Sequence, residues 1–375
     1  MQVLIFSAAA GGGHNRTAQA LEGYIRNSVP GAQVKVADAL KEVHSLYDRV
    51  ICSGYRFVAT KTPVVFGRMY KDTNRSNSVA GLVPKMNHML GRHLLGVIEQ
   101  FQPDILVATH PFAAEMLSAL KYRGEVTAKL LVILTDYAPH RTWIVDQADG
   151  YIVANDDMVH CMVHTFGVEP QKIYPFGIPV PQAFFHRGSK PELRKAMGFA
   201  PDKPTILLMA GSFGVRMIAQ IYREIMYLPQ DFQMIVITGN NRRLYQSLKT
   251  TAMLSPKKTK LILFTEKVEQ YMHASDLLIT KPGGLTVSEA LACNLPMLLF
   301  DAIPGQEQDN ADFLERHGMA LKLGKKQNCA QVLGQLLENR AELSAMELAC
   351  KQFDRENGCA QIVALMQNLI EENLC

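Results

Sequence analysis

The sequence predicts an α/β protein built from two doubly wound parallel-sheet domains. Three observations carry that prediction. The chain has 375 residues, more than one ordinary core holds and suited to two domains of roughly 150 to 200 residues. Short apolar runs alternate with helical patterns, the signature of parallel strands covered on both faces. The alternation runs through two series separated by "GIPVPQAFFHRGSKPELRKAMGFAPDKP", a proline- and charge-rich stretch read as a linker followed by an entry helix. In open sheets of this kind ligands lie beyond the carboxyl ends of the strands, so the two domains are expected to face each other across a cleft.

The elements follow in order. "MQVLIFSA" reads as a buried strand, and Ala18, Leu21, Tyr24, Ile25 and Val29 recur at helical spacing. Gly11, Gly12, Gly13 and His14 therefore occupy a strand-to-helix turn. The first series continues with "AQVKVADA", "PDILVATH", "AKLLVILTD", "GYIVAN" and "KIYPFG". The second contains "TILLMA", "QMIVITG", "KLILFT", "DLLITK", "PMLLFD" and "ALKLG". A second glycine turn, Ala210 to Gly214, precedes a helix with Ile218, Ile221, Tyr222 and Ile225 on one face. A third, Pro282 to Gly284, precedes a helix over 285–292. The final helical stretch, 341–374, has no strand after it and is expected to cross back to the first domain. The expected division is 1–178, 179–350 and a closing helix in 351–375.

Composition narrows the function classes. At 48% hydrophobic and 20% charged residues, the chain reads as soluble and globular. It shows no apolar run of the roughly 18 residues that span a bilayer, and its first residues lack a signal-peptide pattern. Seven scattered cysteines without C-x-x-C spacing point to neither a disulfide framework nor a zinc site, and to a reducing cytosol. Net charge is +4, but 48–96 holds eight bases against two acids, an excess of six. Those bases alternate with Tyr55, Phe57, Phe66, Met69 and Tyr70, a mixture suited to anionic lipid headgroups. Nucleic acid is disfavoured, since no nucleic-acid motif accompanies the patch. A solvated helical hairpin is the plainer alternative.

The glycine turns carry the chemistry. Amides at a helix N-terminus receive phosphate, and three such turns at strand ends favour a nucleotide diphosphate. Thr286 and Glu289 stand at T-x-x-E spacing, so Glu289 is either a capping-box partner or a carboxylate for a ribose diol. The "PGQEQDN" loop brings Gln306, Glu307, Gln308 and Asn310 to the same sheet edge, where they could grip sugar hydroxyls.

With these motifs in order ("GGGH", "TDYAPHRTW", "GIPV", "AGSFGV", "ITKPGGLTVSEAL" and "PGQEQDNADF"), roughly residues 1 to 350 resemble the diacylglycerol glycosyltransferase family. That family includes monogalactosyldiacylglycerol synthases and processive diacylglycerol glucosyltransferases, with MurG as a more distant relative. The resemblance implies a GT-B fold, a UDP-sugar donor bound mainly by the second domain, a diacylglycerol acceptor bound by the first, and inversion at the anomeric carbon. It implies His14 as general base and Asp136, His140 and Trp143 near the acceptor. For the donor it implies Gly12, Gly13, Gly211, Ser212, Phe213, Gly239, Val268, Lys281, Pro282, Gly283, Gly284, Leu285, Thr286, Glu289, Gln306, Glu307 and Asn310.

An inverting transfer needs a base for the acceptor proton and stabilisation of the departing diphosphate. His14 and the glycine-turn amides can supply both, so neither metal nor cofactor is expected. The expected product is a glycolipid, most simply a glucolipid, made at the inner face of the cell membrane by a cytoplasmic, peripheral enzyme. A MurG-type N-acetylglucosamine transferase, a UDP-sugar 2-epimerase and a catalytically silent nucleotide-sugar or lipid sensor are the competing readings.

Overall fold

The computed structural model describes residues 1–8, 13–43, 74, 83–209, 215–300, 302–324 and 327–374. The chain divides into two compact units. The first comprises Met1–Pro181, Ile303–Gln306 and Arg355–Cys375, the second Gln182–Ala302 and Glu307–Asp354.

In the first unit, β1 (Gln2–Ser7) is followed by α1 (Gly13–Ser28), β2 (Gln33–Asp38), α2 (Ala39–Val43) and α3 (Val83–Phe101). Then come β3 (Ile105–Ala108), α4 (Pro111–Tyr122), β4 (Lys129–Ile133), β5 (Gly150–Ile152), α5 (Asp156–Phe166) and β6 (Ile173–Tyr174). The strands form a parallel sheet in the order β2-β1-β3-β4-β5-β6. Val3, Ile5, Val107, Leu131 and Ile133 pack against Ala18, Leu21 and Ile25 of α1. Strand alternation accounts for this, since residues two apart share a face.

The second unit opens with α6 (Lys190–Ala196), β7 (Thr205–Met209), α7 (Val215–Ile225), β8 (Gln233–Ile237) and α8 (Arg242–Met253). It continues through β9 (Thr259–Ile262), α9 (Val268–His273), β10 (Leu277–Thr280), α10 (Gly284–Ala292), β11 (Met297–Leu299) and α11 (Gln306–Arg316). It ends with β12 (Ala320–Lys322), α12 (Cys329–Glu338) and α13 (Arg340–Gln352). Its sheet runs β12-β11-β10-β7-β8-β9, also parallel. All twelve apolar runs singled out in the sequence form strands.

Each sheet reverses its strand order once, between β1 and β3 in the first and between β7 and β10 in the second. Crossovers leave in opposite directions at such a point and open a crevice at the carboxyl ends of the two strands. His14 lies just after β1, and the Pro282–Gly284 turn just after β10.

The closing helical stretch is not continuous. It breaks between α13 and α14 (Gly358–Leu374), whose Ile362, Met366 and Leu369 complete the first unit's core. Met346 of α13 belongs instead to the core of the second unit. At Gly358, the first residue of α14, the chain packs closely enough that a Cβ would overlap the carbonyl oxygen of Phe176.

Candidate active site

In the first unit the site is built around His14, in the first turn of α1. Its Nδ1 lies 2.9 Å from the carbonyl oxygen of Thr109, just beyond β3. The hydroxyl oxygen of Thr135, two residues past β4, is also 2.9 Å from Nδ1. A carbonyl can only accept, so Nδ1 carries the proton and Nε2 keeps its lone pair. The Thr109 hydroxyl donates to the His14 carbonyl at 3.2 Å, so one residue holds both the ring and the main chain.

Burial pushes the His14 pKa down to about 4, with the Thr109 carbonyl opposing the shift. His14 is therefore a neutral imidazole near pH 7. The His110 ring stands edge-on to it at 4.5 Å. His110 is also held well below the ordinary imidazole value, by burial first and by His14 second. Trp143 is buried with its ring centre 6.1 Å from that of His14.

Of the other acceptor residues implied by the resemblance, His140 caps the short 3-10 turn Arg141–Trp143. Its Nδ1 accepts from the Thr142 amide at 3.2 Å. Asp136 Oδ2 accepts from Gln306 Nε2 at 3.3 Å, within the first unit. Thr109, His110 and Thr135 were not singled out from the sequence as site residues. The signal for His110 was present in "THPF", a polar residue before proline at a helix start, and His110 is indeed the N-cap of α4.

In the second unit, Gly283 is the N-cap of α10 and makes no side-chain cap. Its φ is −74° and an added Cβ would meet nothing within 4 Å. Neither backbone strain nor packing demands glycine here, and the missing side chain leaves the free amides of the helix open to approach. Because the helix starts at Gly284, Thr286 lies in its first turn and Glu289 one turn further in. The capping-box reading of Thr286 and Glu289 is thereby corrected: Gly283 already holds the cap position, and Glu289 is buried in the helix interior, 3% exposed.

A second correction concerns "PGQEQDN", which was expected to be a loop. From Gln306 it is the first turns of α11, where Glu307 and Asp309 suit the positive helix end. This places Asn310 inward. Its Nδ2 donates to the carbonyl of Pro282 at 3.0 Å, so Asn310 braces the turn. Lys281 is buried, with Nζ 3.9 Å from Glu307 Oε2.

The structure thus brings together Lys281, Pro282, Gly283, Glu307 and Asn310, with Leu285, Thr286 and Glu289 on the same helix. Gly239, at φ 62°, follows β8, and Val268 opens α9. Gln306 is grouped with Asp136 in the first unit. Gly12, Gly211, Ser212 and Phe213 lie outside the described residues, as do 48–73 and 75–82 of the basic segment 48–96.

Residues 14–180 match the family model for monogalactosyldiacylglycerol (MGDG) synthase, and residues 205–363 match that for the glycosyltransferase family 28 C-terminal domain. The chain carries both the MGDG synthase domain and the glycosyltransferase family 28 C-terminal domain. It is a glycosyltransferase. A processive diacylglycerol beta-glucosyltransferase of Bacillus cereus (strain AH820) is 28% identical over 383 residues, covering 99% of this chain and 95% of that one. Its counterpart in Bacillus pumilus (strain SAFR-032) is 28% identical, covering 76% of this chain and 73% of that one. Among solved structures, MurG of Acinetobacter baumannii aligns with a TM-score of 0.64 at 17% identity, over 98% of this chain and 99% of that one. The UDP-GlcNAc 2-epimerase of Neisseria meningitidis, solved with UDP-GlcNAc, aligns at 0.63 and 15%, over 98% and 100%. These structural likenesses place the glycosyltransferase in the two-domain GT-B fold.

Proposed function

We propose that this glycosyltransferase moves a hexose, glucose in the first instance, from a UDP-sugar to the free hydroxyl of diacylglycerol, with inversion and without a metal or cofactor. The observation that carries the reading is the tautomer of His14. With the proton committed to Nδ1 by Thr109, Nε2 is free to take the acceptor proton as the acceptor oxygen bonds to the anomeric carbon. The bond from that carbon to the diphosphate oxygen breaks, and UDP leaves with the electron pair. The open amides at the start of α10 suit the charge on the departing diphosphate. The relatives named as diacylglycerol glucosyltransferases support glucose and diacylglycerol as the substrate pair.

Among the described residues no helix is long and apolar enough to cross a membrane. A lipid acceptor then calls for docking at the membrane surface, and the basic, aromatic segment 48–96 is the part of the chain suited to an anionic one. The deciding experiment incubates the purified protein with UDP-glucose, UDP-galactose or UDP-N-acetylglucosamine, with and without diacylglycerol vesicles and with and without chelator, and analyses the products by mass spectrometry. A β-hexosyl diacylglycerol formed in the presence of chelator is the expected result. A 2-epimerised nucleotide sugar formed without lipid overturns the reading.

A further inference from the structure

A row of rings runs from buried Trp143 past the base of the first unit and climbs to the surface. Trp143 is buried, His14 is 6.1 Å from it, and His110 is 4.5 Å from His14. Phe112 follows at 5.1 Å from His110 and is 40% exposed. Ala113, Ala114, Met116 and Leu117 already bury the core face of α4, and Phe112 leaves much of its ring to solvent.

His110 is oriented just as definitely. Its Nδ1 accepts the backbone N–H of Phe112 at 3.2 Å, so its proton sits on Nε2. No protein partner to Nε2 is found among the described residues. A neutral N–H donor directly beside the base and an exposed aromatic ring one step further out thus stand side by side. That pair matches a molecule with an oxygen-bearing head and an apolar tail.

Resting on the proposed lipid-acceptor reading, we propose that His110 and Phe112 form the acceptor cradle of this enzyme. His110 Nε2–H donates to a glycerol or ester oxygen of the diacyl lipid, and the Phe112 ring packs against the first methylenes of an acyl chain. The hydroxyl is thereby led to Nε2 of His14, while the chain stays along the surface end of the row. The competing occupant of an exposed ring beside a base is the uracil of the donor, which would stack on it.

Trp143 is the single tryptophan of the chain, so it reports on this row without a label. The test titrates the full-length protein with diacylglycerol brominated near the ester end of its acyl chains, following Trp143 quenching, and measures UDP affinity in parallel by calorimetry. Wild type is expected to be quenched. Phe112→Ala, at an exposed position that spares the fold, should weaken quenching and raise the acceptor KM about tenfold, the effect of losing one partly buried aromatic contact. UDP affinity should not change, and Phe112→Leu should recover most of the loss. The KM penalty should shrink when diacetylglycerol replaces a long-chain acceptor. No quenching in wild type, or an unaltered acceptor KM in Phe112→Ala, overturns the cradle. So does a fall in UDP affinity, which would give the ring to uracil. Quenching by a diacylglycerol that wild type does not glycosylate would sink the proposed reaction while leaving the lipid cradle standing.

Discussion

Nδ1 of His14 is held between two oxygens, the carbonyl of Thr109 and the hydroxyl of Thr135, each 2.9 Å away. Neither is charged. A carboxylate in that position would raise the basicity of the imidazole, whereas two neutral oxygens leave burial to dominate. Thr135→Val should keep the tautomer through Thr109 but loosen the ring, lowering turnover with little change in acceptor KM. Thr135→Asp should shift the acid limb of the rate profile to higher pH. If neither variant moves turnover or the profile, Thr135 has no part in holding the base.

His14→Ala should leave the fold and UDP affinity intact while reducing turnover by about 10²- to 10⁴-fold, the range for a lost general base. Calorimetric titration with UDP checks the first part and product formation the second. A loss of UDP affinity as large as the loss of turnover would make His14 a donor contact.

The pH dependence follows from the lowered pKa of about 4. In kcat/KM, activity should stay level as pH falls from neutrality through the ordinary imidazole range and decline only toward the His14 value. Stability behaves differently. Between the unfolded value of 6.5 and about 4, the unfolded chain binds a proton at this position that the folded chain refuses, so stability falls as pH drops through that window. His110 is shifted in the same direction and adds to the loss. Denaturant titrations at several pH values measure it, and His14→Ala should flatten the trend.

For Glu289 the cap explanation is gone, since Gly283 holds that position. Glu289→Gln should therefore weaken donor binding, by roughly 10- to 150-fold if a charge-assisted ribose hydrogen bond of about 1.5 to 3 kcal/mol is lost. An unchanged Kd for UDP would assign the buried carboxylate to the protein interior alone.

Charge reversal of Arg68, Lys71 and Arg75 to glutamate should abolish any preference for phosphatidylglycerol vesicles over neutral ones, with UDP affinity spared. At about 1 kcal/mol per basic residue near an anionic surface, three engaged charges change binding by roughly two orders of magnitude. Wild-type binding should also weaken with added salt as the Debye length shortens. Sedimentation of the triple variant with anionic vesicles at the wild-type level would make the patch a solvated face.

The architecture was legible because its signals are local. Val3 to Phe6 and Leu277 to Thr280 announce buried strands by four consecutive residues, and the glycines after them announce turns without any knowledge of partners. His14 and Pro282–Gly284 could be placed at strand ends for the same reason. The capping-box alternative for Glu289 failed on a difference of a few residues. T-x-x-E spacing describes a cap only if the helix begins after the threonine, and α10 begins before it. Asn310, read from the sequence as a sugar contact, also donates its amide to the carbonyl of Pro282, a contact across 28 residues that no local pattern announces.

By itself, then, the sequence determined two series of parallel strands, their glycine turns and the histidine beside the first of them, since runs, periods and turn residues are written within a few neighbouring positions. Only the tertiary structure decided what that histidine is. Its partners Thr109 and Thr135 come from 95 and 121 residues away, and their oxygens, with the burial around the ring, set the tautomer, the low basicity and the lone pair on Nε2. Hydrogen-bond partners and desolvation depend on which strands become neighbours, and no local pattern carries that information.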